Sequence, residues 1–212
     1  MPRQAGLRER KKLEQRQRIA DGAAVLFAAR GYDAVSMGDV AEAADVSYQT
    51  VYNYFPAKQD LGLDRADAFR EEYERVVRER PSGSSPAEAL RPLVEADVER
   101  YRTAELGPAR GEHPALCAGS LVFRGFALLA RERDAQAIAA AITATTPAMH
   151  PLVAHAHAAA LVSVLQAITD RIGTSVLAGD ISDTTADKMT RDSAAALNEL
   201  DRQFVVAART TV

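Results

Sequence analysis

The segment that most constrains this chain spans residues 45–58, DVSYQTVYNYFPAK. Val46, Val51 and Phe55 fall five and four residues apart, which places them on one side of a helix. The residues between them are polar or phenolic, and Tyr48, Tyr52 and Tyr54 are three of the chain's six tyrosines. Ser47 has the side chain of a helix N-cap, and Pro56 stops the helix because it lacks an N–H and clashes with the preceding turn. A helix this short is not stable alone. It has to dock on a scaffold through Val46, Val51 and Phe55, and that leaves Ser47, Tyr48, Gln49, Thr50, Tyr52, Asn53 and Tyr54 facing outward.

The scaffold reads as helical throughout, with no alternating stretch between turn signals. Ile19, Ala23, Leu26 and Phe27 give a first helix over 7–30 one apolar face, and Gly31 suits its left-handed end. Ser36, with Asp39 three residues on, forms a capping box for a second helix. Val40, Ala41 and Ala44 supply the inner side of that helix. A fourth helix is expected over 58–80. PSGSSP, residues 81–86, is the clearest boundary, with Ser85 as N-cap and Pro86 as first helical residue of a fifth helix to 105. LGPARGEHP (106–114) reads as a loop, followed by helices at 115–132 and 134–145, a long one at 151–178 and a last one at 184–208. The predicted fold is all-α with about nine helices. It divides into an N-terminal three-helix helix-turn-helix domain with a basic arm, 1–60, and a C-terminal helical domain, 61–212.

The chain of 212 residues carries a formal charge of −3, so nucleic-acid binding requires a local patch. Residues 1–20 hold seven cations (Arg3, Arg8, Arg10, Lys11, Lys12, Arg16, Arg18) and two anions (Glu9, Glu14), a local +5 on a remainder of −8. A phosphate-binding arm and a solvated tail are both open readings of that run. A single cysteine, Cys117, excludes an internal disulfide and a cysteine-based zinc site. It reads as a small buried residue. No run approaches the ~18 apolar residues of a membrane span, and the polar, basic start is not a secretory signal. A cytoplasmic protein with no membrane partner is expected. His155 and His157 point to different sides of a helix, and His150 before Pro151 reads as a cap, so no metal site is expected. Gly-rich phosphate loops, nucleophile elbows, HExxH and cysteine clusters are missing from the sequence, so neither a cofactor nor an enzymatic activity is expected.

Two short helices joined by a tight turn place the second in the DNA major groove. Gln49 can pair with adenine, and a threonine or tyrosine can touch a thymine methyl. Residues 16–61, with LFAARGYDAVSM, VAEAADVS and TVYNYFPAKQDL in that order, resemble the DNA-binding domain of the TetR family of bacterial transcriptional repressors. The resemblance implies DNA contacts at Ser36, Ser47, Tyr48, Gln49, Thr50, Tyr52, Asn53 and Tyr54, and a phosphate contact at Lys58. It further implies a homodimer formed through the last two helices, a palindromic double-stranded operator, and release by a small-molecule effector. Asp45 stands where the family usually has glycine, and aspartate tolerates the left-handed conformation. Tyr101, Phe123, Arg124 and Phe126 are candidates to frame the effector cavity, with a plain core role for the phenylalanines as the other reading. Two further readings of the whole chain stand beside this one. One is a DNA-binding regulator without a small-molecule ligand, and the other an all-helical carrier or enzyme with an incidental helix hairpin.

Overall fold

A computed structural model describes residues 6–210. Eleven helices and no strand occur among the described residues: α1 Leu7–Arg30, α2 Met37–Ala43, α3 Tyr48–Tyr54, α4 Lys58–Gly62, α5 Ala66–Arg78, α6 Pro86–Arg102, α7 Leu106–Ala109, α8 His113–Gly119, α9 Leu121–Thr145, α10 Pro151–Ala178 and α11 Asp183–Thr210. The count exceeds the predicted nine for reasons outside the local sequence. The expected fourth helix breaks between α4 and α5 at residues 63–65. Gly62 ends α4 against the Phe123 ring, where a Cβ would lie 2.4 Å from ring carbon, and Asp64 is held by the Arg16 guanidinium at 2.5 Å. The loop 106–114 contains the single turn α7. The break expected at 133 lies instead at Ser120, whose hydroxyl accepts the Phe123 N–H at 3.1 Å and donates to Asp33 at 2.7 Å.

Two apolar clusters organise the chain. The first gathers Ile19, Ala23, Phe27, Val40, Val51, Phe55 and Leu61 from α1–α4 and closes on Leu116, Cys117, Phe123 and Ala127 of α8 and α9. The second is built by α5, α6 and α8–α11 around residues such as Leu90, Val98, Ile138, Leu161 and Leu197. Burial of this much carbon is the main stabilising contribution, about 25 cal/mol per Å².

Helix α10 corrects the expectation that no segment is apolar enough to span a membrane. It is 28 residues long, with a mean hydropathy of 1.5 over its best window. That value comes from its run of alanine, leucine and valine, which is easily missed because the helix also contains His155, His157, Asp170 and Arg171. Its buried side, Leu161, Ile168, Ile172 and Val176 included, packs into the second cluster. His150 caps it, its Nδ1 accepting the Leu152 N–H at 3.2 Å.

Candidate nucleic-acid interface

Local chemistry fixes the geometry of α2 and α3. The Ser36 Oγ accepts the Asp39 N–H at 3.1 Å and Asp39 accepts the Ser36 N–H at 2.7 Å, completing the capping box. Arg30 adds a bond to Asp39 at 2.9 Å. Hydrogen bonds from Ser36 and then Arg30 hold the Asp39 carboxyl well below the usual carboxylate range. The turn is a Schellman motif: the Val46 N–H reaches the Ala41 carbonyl at 3.0 Å and the Asp45 N–H the Glu42 carbonyl at 3.1 Å. It requires a left-handed residue, and Asp45 supplies it with φ 51°, the one non-glycine at positive φ among the described residues. The Asp45 side chain is exposed.

Ser47 caps α3 by accepting the Thr50 N–H at 3.1 Å, and its hydroxyl lies 2.8 Å from that of Thr50. Val51 and Phe55 are completely buried beneath α3. On the outer side the polar residues form two i,i+4 pairs. The Tyr48 hydroxyl donates to that of Tyr52 at 3.0 Å, with rings 4.7 Å apart, and Gln49 Nε2 donates to Asn53 Oδ1 at 3.1 Å. The Tyr48 bond pushes the Tyr52 phenol pKa up. Tyr48 is 55% exposed, and Gln49 and Asn53 are exposed beside it. The face thus presents amide and hydroxyl groups whose present partners are one another, and a base edge can exchange for them at little cost.

Three of the expected contact residues are held more tightly. Ser36 is occupied by its cap. Tyr54 is half-buried, and its carbonyl accepts from Arg16 at 2.7 Å. The Lys58 ammonium donates to the Tyr32 carbonyl at 2.5 Å and sits 4.1 Å over the Tyr32 ring, with burial lowering its pKa. Two of its three N–H donors are left for a phosphate. Sequence reasoning missed the role of Arg16. Its guanidinium bonds Tyr54 and Asp64 and lies 4.2 Å over the Phe55 ring, tying α1 to the end of α3 and to the α4–α5 break. The basic run is helical from Leu7, with Arg8, Arg10, Lys11, Lys12 and Arg18 exposed along α1. Arg3 lies outside the described residues.

The four candidates for the effector cavity do not line one cleft together. Tyr101 is buried on α6, and its hydroxyl donates to Glu112 at 2.8 Å. Phe123 is buried where the two clusters join, between Tyr32 at 4.9 Å and His113 at 5.5 Å. Arg124 forms a bidentate pair with Asp170 at 2.5 and 2.7 Å, and Phe126 is half-buried. A cleft of about 660 Å³ opens between α1 and the α6–α8 segment, and of the four only Tyr101 lines it. A smaller chamber of about 70 Å³ lies behind it, walled by Tyr73, Asp97, Arg131 and Asp134.

A family model described as "Bacterial regulatory proteins, tetR family" matches residues 19–63. Among curated proteins, the HTH-type transcriptional regulator TcmR of Streptomyces glaucescens is 31% identical over 105 residues, 50% of this chain and 46% of that protein. The HTH-type transcriptional repressor KstR of Rhodococcus jostii is 38% identical over 89 residues, 41% of this chain and 40% of that one. The chain spans less than half the length of these curated relatives. Two solved structures share the fold. The SmeT–triclosan complex superposes with TM-score 0.60 at 16% identity, over 88% of this chain and 90% of that one. FadR from Bacillus subtilis in complex with stearoyl-CoA gives 0.57 at 18%, over 87% and 97%.

Proposed function

We propose that this chain, a member of the tetR family of bacterial regulatory proteins, represses transcription as a homodimer on a palindromic operator and is released by a small-molecule effector. The observation that carries the reading is the α2–turn–α3 unit. Val51 and Phe55 anchor α3 with no exposure, and Tyr48, Gln49 and Asn53 stand outward on it. Residues 1–60 serve as the DNA-binding part and 61–212 as the effector-binding and dimerising part. In this reading Ser47, Thr50 and Tyr52 join the outward residues in holding the groove, and Ser36, Tyr54 and Lys58 contact the backbone. Tyr101, Phe123, Arg124 and Phe126 belong to the sensing half.

Dimerisation through α10 and α11 is supported by the alanine-rich outer side of α10, where Ala156 and Ala167 remain exposed. Two recognition helices must sit about 34–36 Å apart to enter successive major grooves. An effector that favours another spacing makes the second contact unavailable and lowers affinity. That SmeT and FadR, which share this fold, are found in complex with triclosan and stearoyl-CoA supports a small-molecule site in this fold. The direct experiment is a mobility-shift titration of the purified chain on the promoter DNA flanking its own gene. A shift that survives excess non-specific DNA is expected, and binding indifferent to the fragment's sequence would remove the reading.

A further inference from the structure

We infer that the cleft between α1 and the α6–α8 segment binds an apolar molecule bearing one carboxylate, gripped by Arg65 while its body lies against the DNA-binding unit itself. The inference rests on the effector-responsive reading above and gives the effector a place and a chemical class.

The volume of about 660 Å³ falls within the roughly 300–1,000 Å³ of small-molecule sites. Much of the wall is carbon, with Ala20, Ala24 and Val25 of α1 facing Phe69, Tyr101 and Pro108. The acidic residues at the cleft are engaged. Asp21 accepts from Gln17 at 2.8 Å, Asp64 from Arg16 at 2.5 Å, and Glu112 from Arg100 at 2.6 Å and Tyr101 at 2.8 Å. Arg100 is committed to that same carboxylate. Arg65 is different: among the described residues its guanidinium makes no hydrogen bond or ion pair and lies 4.9 Å over the Phe69 ring. It lines both the cleft and the inner chamber. The inner carboxylate Asp97 lies against Arg100 at 3.6 Å. The Arg65 charge reaches Asp97 only at a distance, and a guanidinium with no bonded carboxylate on an apolar wall is where a ligand carboxylate gains a bidentate, charge-assisted bond.

The α1 wall makes the site regulatory. Gly111 packs so closely on α1 that a Cβ there would lie 1.9 Å from the Ala24 carbonyl oxygen. The α7–α8 loop and α1 are therefore in backbone contact at the edge of the cleft. A body inserted beside that contact pushes on the helix whose other side, Ile19, Ala23 and Phe27, is the floor of the DNA-binding core. Its affinity then differs between spacings of the two units, which is what a switch requires.

The chain contains no tryptophan, so one can be introduced as a local reporter. In Val25→Trp the indole faces the cleft from an exposed position; Leu152→Trp, equally exposed at the start of α10 and outside the cleft wall, is the control. The probe is 12-bromododecanoate, whose bromine quenches tryptophan on contact. Saturable quenching is expected in Val25→Trp and not in Leu152→Trp. It should weaken about tenfold when Arg65→Gln is added, the loss of one charge-assisted bond. 12-Bromododecanol should bind about as weakly to the parent reporter. Equal quenching of both reporters, indifference to Arg65→Gln, or equal binding of the alcohol would each overturn the inference. Should Val25→Trp fail to fold by circular dichroism, Gln17→Trp reports from the same wall. The readout needs no DNA. Absent quenching with operator binding intact overturns this inference alone, and quenching without any operator binding upholds the site while removing the repressor reading.

Discussion

At the scale of single residues, the proposed reading separates stability from recognition within α3. Phe55 is completely buried, so Phe55→Ala should cost about 3–5 kcal/mol of stability. Gln49 is exposed, so Gln49→Ala should stay within about 0.5 kcal/mol of the parent in urea unfolding, while specific operator binding falls by about 1–3 kcal/mol. Asp45 gives a second test. A β-branched residue at its φ of 51° is strained, and Asp45→Val should lose about 1–3 kcal/mol, whereas Asp45→Gly should cost nothing or stabilise slightly. Thermal unfolding of the pair checks the sign. These positions were legible because the interactions are local. The capping box joins residues three apart, Ser36 and Asp39, and the Schellman turn joins residues five apart, Ala41 and Val46. Arg16 was not legible in this way. Its partners Tyr54 and Asp64 lie 38 and 48 residues away, and no helical spacing signals them.

At the scale of elements, the sequence periodicity located most helices but not their internal breaks. Ser120 reads as an ordinary residue in a helical run until Asp33, 87 residues away, accepts its hydroxyl. Gly62 likewise reads as a tolerated glycine until Phe123 fills the space a Cβ would need. Helix contacts of the same closeness join α8 to α10, where a Cβ on Gly173 would lie 1.9 Å from the Pro114 carbonyl oxygen. Gly173→Ala should therefore destabilise by about 1–3 kcal/mol through overpacking, although alanine is the better helix former. A stabilised variant would show that the two helices are free to separate. The effector candidates illustrate the same limit. Tyr101, Phe123, Arg124 and Phe126 have the right chemistry for a cavity, but three of them sit together on α9, where helical rotation sends Phe123 into the joint and Arg124 to Asp170.

At the scale of the whole molecule, acid should loosen the fold through two imidazoles that folding desolvates, the buried His157 and the half-buried His113. Burial holds His113 and His157 down at about 4, against 6.5 in the unfolded chain. Between those values the unfolded chain binds more protons, so the stability these groups contribute is complete above pH 6.5 and is lost as pH falls toward 4. Urea midpoints at pH 7 and pH 4.5 should differ less in His157→Leu than in the parent; an unchanged difference would exclude His157 as a contributor. Assembly belongs to this scale too. If the proposed dimer forms through α10, Ala167→Glu on its exposed side should give a monomer in sedimentation and weaken operator binding without unfolding the chain; a variant as dimeric as the parent would remove that interface.

The central claim is that the outer face of α3 reads DNA sequence, and selection from random duplexes by the purified chain, followed by anisotropy titration of the selected site, tests it most directly. The account predicts a palindromic site with half-sites about 10 base pairs apart, bound by the parent and lost in Gln49→Ala/Asn53→Ala at unchanged thermal stability. A chain that selects no sequence, or a double variant that binds the selected site as tightly as the parent, would contradict it.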